Sequence, residues 1–230
     1  AVRMGRVQGD FPAGKLTYKK TVEKLPFLSW TEVERRIAAG ADAETLRECI
    51  YLSAPEMAEL LEHVRTAKGP DWVYPLFCTA CHTGARRSEL LRARAEDVDF
   101  AAGVLTIREK KRTRGTLTTR RVPLSGFLEG VLRAWLAGRP GRPFLFGSGF
   151  KEVVVQTAQE VFRNAVDGSK WRVLKGYHVF RHSMVSACAS RGVDQRLLQS
   201  WCGHMDEKTS RRYQHLYPST QRDALKMVFD

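Results

Sequence analysis

The sequence lacks the features that define several protein classes. No apolar run approaches the roughly 18 residues needed to span a membrane, and no apolar signal-peptide core lies near its start. Its five cysteines form an odd, scattered set, which favours a reduced, cytoplasmic protein over a disulfide scaffold. It contains no internal repeat and no low-complexity segment. With 43% hydrophobic residues in 230, the chain can bury a core of ordinary size, which excludes disorder.

Net charge is also absent from the first half of the chain. Basic and acidic residues balance over residues 1–107, so the whole net charge of +13 lies after residue 107. Residues 108–121 alone hold 7 basic residues and 1 acidic residue. This asymmetry predicts one basic surface for a polyanion, with nucleic acid as the first candidate.

The hydrophobic pattern changes period along the chain. Segments 97–100, 104–108 and 120–124 are short and alternating or β-branched, which predicts a three-stranded antiparallel meander whose second connection, 109–119, is the basic run. Predicted helices cover 30–39, 54–68, 72–82, 86–93, 127–137, 152–166, 178–190, 195–201, 207–215 and 221–229. This order predicts an α+β, mainly helical fold with helices around a small sheet. Residues 1–50 are expected to be a linker or arm with one short helix, and 51–230 the main domain.

One short motif suggests a cofactor. Cys78, Cys81 and His82 match the C-x-x-C-H pattern of covalent haem attachment, and a C-x-x-C pair is half of a zinc site. However, nothing indicates export, and no second ligand pair with zinc spacing follows. We interpret the segment as a buried helix that uses cysteine as a small apolar residue.

Four other segments together suggest phosphodiester chemistry. They hold Arg86 and Glu89, then Lys110, then His178 and Arg181, and finally His204 and Tyr213. Two arginines can clamp phosphate oxygens, and histidines can move a proton or donate a hydrogen bond. A lysine can protonate a leaving oxygen, and a tyrosine can form a covalent phosphoryl intermediate. Because no carboxylate cluster occurs, a two-metal mechanism is not indicated, and we expect neither metal nor cofactor.

In order and spacing these motifs resemble the tyrosine recombinases, or phage-type integrases, over roughly residues 51–220. The family's first arginine box is matched in this sequence by the similar segment Thr83-Gly84-x-Arg86-x-Ser88-Glu89-Leu90. Its second box is matched by the similar segment His178-x-x-Arg181-His182. Gly203-His204 and Tyr213 resemble the last histidine and the nucleophile. The basic hairpin resembles the one that carries the family's catalytic lysine.

The resemblance implies a role for each matched residue. Tyr213 would attack the scissile phosphate, form a 3′-phosphotyrosine bond and free a 5′-hydroxyl. Arg86 and Arg181 would hold the phosphate, Lys110 would protonate the 5′-oxygen, His178 would act as base or proton shuttle, His204 would hydrogen-bond the phosphate, and Glu89 would support Arg86. DNA-backbone contacts are expected from Lys111, Arg112, Arg114, Arg120 and Arg121.

Some assignments remain open on the sequence. Lys111 stands beside Lys110, although spacing from the strand favours Lys110. Tyr217 is a rival to Tyr213, with core or surface packing as its alternative. His182 follows Arg181 directly and faces about 100° away on a helix, so we interpret it as structural.

The resemblance also implies partners. Double-stranded DNA is the expected substrate, and a homotetramer on DNA the expected assembly, although this chain alone could be a monomer. The family's N-terminal core-binding domain is expected to be absent from this chain, and residues 221–230 could dock in cis or in trans. The alternatives are a type IB topoisomerase-like enzyme, an inactive DNA-binding module of the same fold, or a metal-dependent nuclease built on His178, His182, His204 and His215.

Overall fold

Helices are the main secondary structure in the part of the chain that the structure describes, and a small sheet lies among them. The computed structural model describes residues 24–113, 116–203 and 205–217, with the backbone only of residues 110–113, 116 and 117. The helices are α1 (Trp30–Ala38), α2 (Ala43–Arg47), α3 (Ala54–Thr66), α4 (Val73–Thr83), α5 (Arg87–Leu90), α6 (Gly126–Ala137), α7 (Val155–Val166), α8 (His178–Ala189), α9 (Gln195–Cys202) and α10 (Glu207–Arg211). The strands are β1 (Leu28–Ser29), β2 (Ile50–Tyr51), β3 (Val98–Asp99), β4 (Val104–Thr113) and β5 (Thr116–Pro123). Within these residues, no helix has the length and apolar character needed to cross a membrane.

The sheet β3-β4-β5 is antiparallel and three-stranded, which confirms the predicted fold class. Leu105 pairs with Val98 on one side and Val122 on the other. Leu105 and Val122 are buried, so this face of the sheet packs on the core. The sheet thus has one face toward the helices, as the alternating pattern predicts.

The hairpin between β4 and β5 is longer than expected. The predicted connection 109–119 is mostly strand, because β4 continues to Thr113 and β5 begins at Thr116. Pairing is irregular after Arg108 and resumes where Arg112 lies opposite Leu117. The threonines of 116–119 favour strand, and the run of charges concealed that preference in the sequence.

Residues 24–50 contain two helices rather than the one expected. Asp42 begins α2, since its carboxylate accepts hydrogen bonds from the N–H groups of Glu44 (3.2 Å) and Thr45 (2.9 Å). β1 and β2 form a short parallel pair. Phe27 and Val33 are fully buried, so residues 27–50 pack into the core and are not a free arm. The boundary at residue 50 remains a prediction.

Three predicted helices differ from the structure by three or more residues at one end. α7 begins at Val155 rather than at 152. The helix predicted over 86–93 is only α5, because Arg86 is extended (ψ 146) and caps it. The one predicted over 207–215 ends at Arg211, and a 3₁₀ turn follows over Gln214–Leu216. The predicted helix 221–229 lies outside the described residues.

Two hydrophobic clusters form the core. The larger one surrounds α4 and α8 and includes Phe77 and Phe180, whose ring centroids are 5.3 Å apart. The smaller one lies at the other side of α8 and includes Met184, Leu198 and Tyr213. The smaller cluster therefore holds the residue predicted to be the nucleophile.

The C-x-x-C-H segment is a buried helix, as interpreted from the sequence. Cys78 and Cys81 lie on α4 and are almost completely buried, and burial raises the pKa of the Cys78 thiol to about 12. The His82 ring shares a 2.8 Å hydrogen bond with Ser125, which begins α6, and stacks on Phe127. Across the described ranges, no group of three or more His, Cys, Asp or Glu residues is placed to hold a metal.

Candidate active site

Arg181 connects three of the sequence motifs. It lies on α8 with 8% of its surface exposed, and its Nη1 donates hydrogen bonds to the carbonyl oxygens of Gly84 (3.0 Å) and Cys202. Gly84 ends α4 in the left-handed conformation (φ 59), and a Cβ there would lie 3.3 Å from the Cys202 sulfur. The two carbonyls therefore hold the guanidinium between the first arginine box and the Gly203 segment.

Arg120 is a second buried arginine, which differs from the exposed position expected of a residue predicted to contact DNA. It is 9% exposed and donates to Glu89 Oε2 (2.6 Å), Glu109 Oε1 (2.9 Å) and the Trp201 carbonyl (2.6 Å). With its donors turned inward, it ties the hairpin to α5 and α9. The sequence contained the signal, because Arg120 lies two residues before Val122 and so shares its buried face of β5.

Glu89 links the two arginines Arg120 and Arg86. Its side chain is 4% exposed and accepts hydrogen bonds from the Arg86 N–H (2.8 Å) and the Arg86 guanidinium (3.0 Å). Burial opposes its ionisation, but the hydrogen bonds and charge of Arg120, together with Arg86, outweigh burial and lower the pKa of Glu89. The buried carboxylate is therefore ionised at neutral pH and fixes Arg86, whose own side chain is 40% exposed.

Several predicted site residues line one cavity. It has a volume of about 900 Å³, and its walls include Arg86, His178, Arg181, His182 and Tyr213. His178 is an exposed residue at the start of α8. Partial desolvation of its ring, with the charges of Arg87, Arg181 and Arg86, lowers the pKa of His178. It is therefore neutral at pH 7, as a proton acceptor must be.

Tyr213 lines this cavity with 2% of its surface exposed. Burial raises the pKa of its hydroxyl. The hydroxyl lies 2.8 Å from His182 Nδ1, a contact that the structural interpretation of His182 missed. The sequence signal for this contact was the position of His182 four residues after His178, which places both histidines on the same side of α8. Tyr217 is partly exposed and is not among the residues that line the cavity.

For the predicted lysine and the last histidine, the structure describes the neighbouring residues Glu109 and Gly203. The Lys110 side chain and His204 lie outside the described part of the structure, as does Arg114. However, a Cβ on Gly203 (φ +79) would lie 2.9 Å from Glu109 Oε1, so the side chain of Glu109, which precedes Lys110, lies against Gly203, which precedes His204. A side chain at 203 would displace this contact, which explains the glycine.

The remaining basic residues differ in what the structure describes. Lys111 and Arg112 lie on β4, where only their backbone is described. The Arg121 side chain is 63% exposed and makes a loose ion pair with Asp99 at 3.9 Å. Arg121 therefore points away from the buried face that holds Arg120 and stays available to an external partner.

The mainly helical fold with its small sheet is shared with known proteins. The family model described as the phage integrase family matches residues 51–220, which is most of the chain. The chain belongs to the phage integrase family.

Named relatives agree with this placement. The chain is 26% identical over 186 residues to the tyrosine recombinase XerA of Pyrococcus furiosus, with 76% of this chain and 60% of that protein covered. The solved catalytic domain of bacteriophage HP1 integrase is 26% identical, with a TM-score of 0.54, covering 76% of this chain and 93% of that one. The XerH recombinase bound to its difH substrate shares the fold, with a TM-score of 0.62 at 23% identity over 78% of this chain and 54% of that one. The chain spans about half the length of the curated relatives it matches, 46% to 60% in three of them.

Proposed function

We propose that this chain is the catalytic domain of a site-specific DNA recombinase that cleaves and rejoins strands through a covalent 3′-phosphotyrosine intermediate. The observation that carries the proposal is the single cavity lined by Arg86, His178, Arg181 and Tyr213. A tyrosine beside two arginines can attack a phosphate whose developing charge those arginines neutralise. The names of the relatives, tyrosine recombinases XerA and XerC, support the same reaction.

In the proposed reaction the Tyr213 oxygen forms a bond to phosphorus as the bond from phosphorus to the 5′-oxygen breaks. The tyrosine proton goes to His178, and Lys110 gives a proton to the departing 5′-oxygen. Arg86 and Arg181 bind the non-bridging oxygens, and His204 adds a hydrogen bond. The phosphodiester energy is kept in the phosphotyrosine bond, so a 5′-hydroxyl of another strand can reverse the step without ATP.

Buried contacts orient the two arginines for the proposed reaction. Arg181 is held by two carbonyls and Arg86 by Glu89, so both cations are oriented before a phosphate arrives. Such preorganised charge is typically worth about 10²- to 10³-fold in rate for each donor. We further propose double-stranded DNA as the substrate, a tetramer on paired sites, and the cytoplasm as the compartment.

A suicide-substrate assay tests the proposal. The full chain is offered a nicked duplex carrying a binding site selected from a randomised library, in EDTA, and the products are separated on a denaturing gel. We expect a covalent protein–DNA adduct, because arginines and not metals are assigned the electrostatic role. Activity that appears only with a divalent metal would favour a nuclease, whereas binding without an adduct would favour an inactive module. Relaxation of supercoiled plasmid without strand exchange would favour a topoisomerase.

Salt dependence tests the basic hairpin separately from chemistry. Replacing Lys111, Arg112 and Arg114 with alanine should make the slope of log affinity against log salt shallower, by about one unit for each lost phosphate contact. Fluorescence anisotropy with the selected duplex gives the slope.

A matched triple variant controls for net charge. Arg35, Arg65 and Arg133 each pair with a glutamate on their own helix, and none of them lies on the hairpin strands β4 and β5. Their replacement by alanine removes the same charge and should leave the slope nearly unchanged. Equal slopes for the two triple variants would show that the hairpin does not contact the DNA backbone.

A further inference from the structure

The hydroxyl of Tyr213 is held by a group outside the set of residues assigned above. Its oxygen lies 2.8 Å from His182 Nδ1. The Phe27 ring stacks on both partners, with centroids 4.0 Å from the His182 ring and 4.5 Å from the Tyr213 ring. Three rings from three distant parts of the chain thus enclose one hydroxyl.

The segment that carries Phe27 is fastened to the segment that carries Tyr213. The Phe27 N–H donates to the Arg212 carbonyl (3.2 Å), and Arg212 Nε donates to the Leu25 carbonyl (2.7 Å). The Arg212 guanidinium also lies 3.7 Å from the centroid of the fully buried Phe27 ring. Because these contacts are reciprocal, the position of residues 25–27 and that of Tyr213 are coupled.

The pKa of His182 indicates whether this ring can accept the Tyr213 proton as a base or only a hydrogen bond. Burial, with the charges of His178, Arg212 and Arg181, lowers the pKa of His182 to about 3, so the ring is neutral at working pH. A neutral Nδ1 accepts the tyrosine proton when Nε2 carries the ring hydrogen. A general base needs a pKa near the working pH, which His182 lacks. His182 can therefore hold the hydroxyl but is a poor acceptor for its proton.

We propose that His182 and Phe27 are positioning residues for Tyr213, with His182 Nδ1 accepting the hydroxyl hydrogen bond and Phe27 fixing both rings. This inference rests on the proposed function, in which Tyr213 is the nucleophile. This hydrogen bond holds the hydroxyl before the phosphate arrives, and the proton leaves His182 Nδ1 and passes to His178 as the bond from the tyrosine oxygen to phosphorus forms. The segment before α1 then takes part in setting the nucleophile, although it precedes every motif that carries the family resemblance.

Two substitutions at His182 separate positioning from packing. His182→Asn can place its side-chain oxygen where Nδ1 lies but loses the stacked ring, whereas His182→Leu keeps apolar volume and loses the acceptor. We expect the single-turnover cleavage rate to fall about 10- to 100-fold in His182→Leu and distinctly less in His182→Asn. A role in packing alone predicts the reverse order, which would overturn the assignment.

Phe27 is tested in the same assay. Phe27→Leu keeps an apolar side chain but removes the stacking, and we expect the cleavage rate to fall about tenfold or more. Duplex affinity, measured by anisotropy, should stay near that of the wild type for all three variants. An unchanged cleavage rate in Phe27→Leu would remove Phe27 from the proposal.

Controls distinguish this inference from the function on which it rests. His215 is exposed, lies two residues past Tyr213 and does not line the cavity, so His215→Asn should cleave like the wild type. The ¹⁵N chemical shifts of the His182 ring in the full chain should change in Tyr213→Phe, while those of His215 stay constant. If the wild type forms no adduct, the proposed function fails, but the nitrogen shifts still report the hydrogen bond. If the wild type forms the adduct and the His182 shifts do not move, the positioning role is wrong.

Discussion

Replacing Tyr213 with phenylalanine is expected to abolish the covalent adduct, with a loss of at least about 10⁴-fold in cleavage rate, as found when a nucleophile is removed. Phenylalanine keeps the ring that stacks on Phe27 at 4.5 Å and removes only the oxygen. The buried His182 nitrogen loses its partner, which costs roughly 1–3 kcal/mol of stability. The protein should therefore remain folded and bind the duplex while forming no phosphotyrosine.

Tyr217→Phe is the matched control for that experiment. Tyr217 is four residues further along the chain, is partly exposed and does not line the cavity. Its variant should form the adduct at close to the wild-type rate in the denaturing-gel assay. Adduct formation by Tyr213→Phe, or its loss in Tyr217→Phe, would show that the wrong tyrosine has been assigned.

Local patterns in the sequence predicted those parts of the site that depend on neighbours along the chain. His178 and Arg181 are three apart on one helix, and both line the cavity. The mainly helical class and the three-stranded sheet followed from periodicity in the same way. Arg120 could have been placed too, since alternation with Val122 puts it on the buried face, but the surrounding charges suggested a surface role.

Other features of the site depend on packing between distant segments. Leu25 and Arg212 are 187 residues apart, and no periodicity in either segment indicates that they hydrogen-bond. The same holds for the carbonyls of Gly84 and Cys202 that hold Arg181, because a backbone carbonyl has no sequence signature. Sequence motifs thus predicted the candidate side chains and the support of Arg86 by Glu89, but they gave no sign of the carbonyls that hold Arg181 or of the contact between Leu25 and Arg212.

The buried pair of Glu89 and Arg120 carries the second large expected effect, this time on stability. Glu89→Ala removes a bidentate partner from an arginine whose side chain is 7% exposed. Leaving one member of a buried pair without its partner costs about 3–5 kcal/mol. Glu109 and the Trp201 carbonyl still contact Arg120, so we expect the lower end, about 3 kcal/mol. The free energy of unfolding from urea denaturation gives the value.

An exposed ion pair and a double mutant make this prediction specific. Glu62 pairs with Arg65 at 2.6 Å, but both side chains are more than half exposed, so Glu62→Ala should cost less than about 1 kcal/mol. Arg120→Ala alone leaves the buried Glu89, among the residues whose side chains are described, with Arg86 as its charged partner and should also be strongly destabilising. In the double variant no charge of this pair remains without its partner, so the loss should be clearly smaller than the sum of the two single losses. Strict additivity, or a loss in Glu89→Ala no larger than in Glu62→Ala, would mean that the pair does not hold the hairpin to the first arginine box.

Because Glu89 also binds Arg86, the cleavage rate of Glu89→Ala should fall even at temperatures where the variant is fully folded.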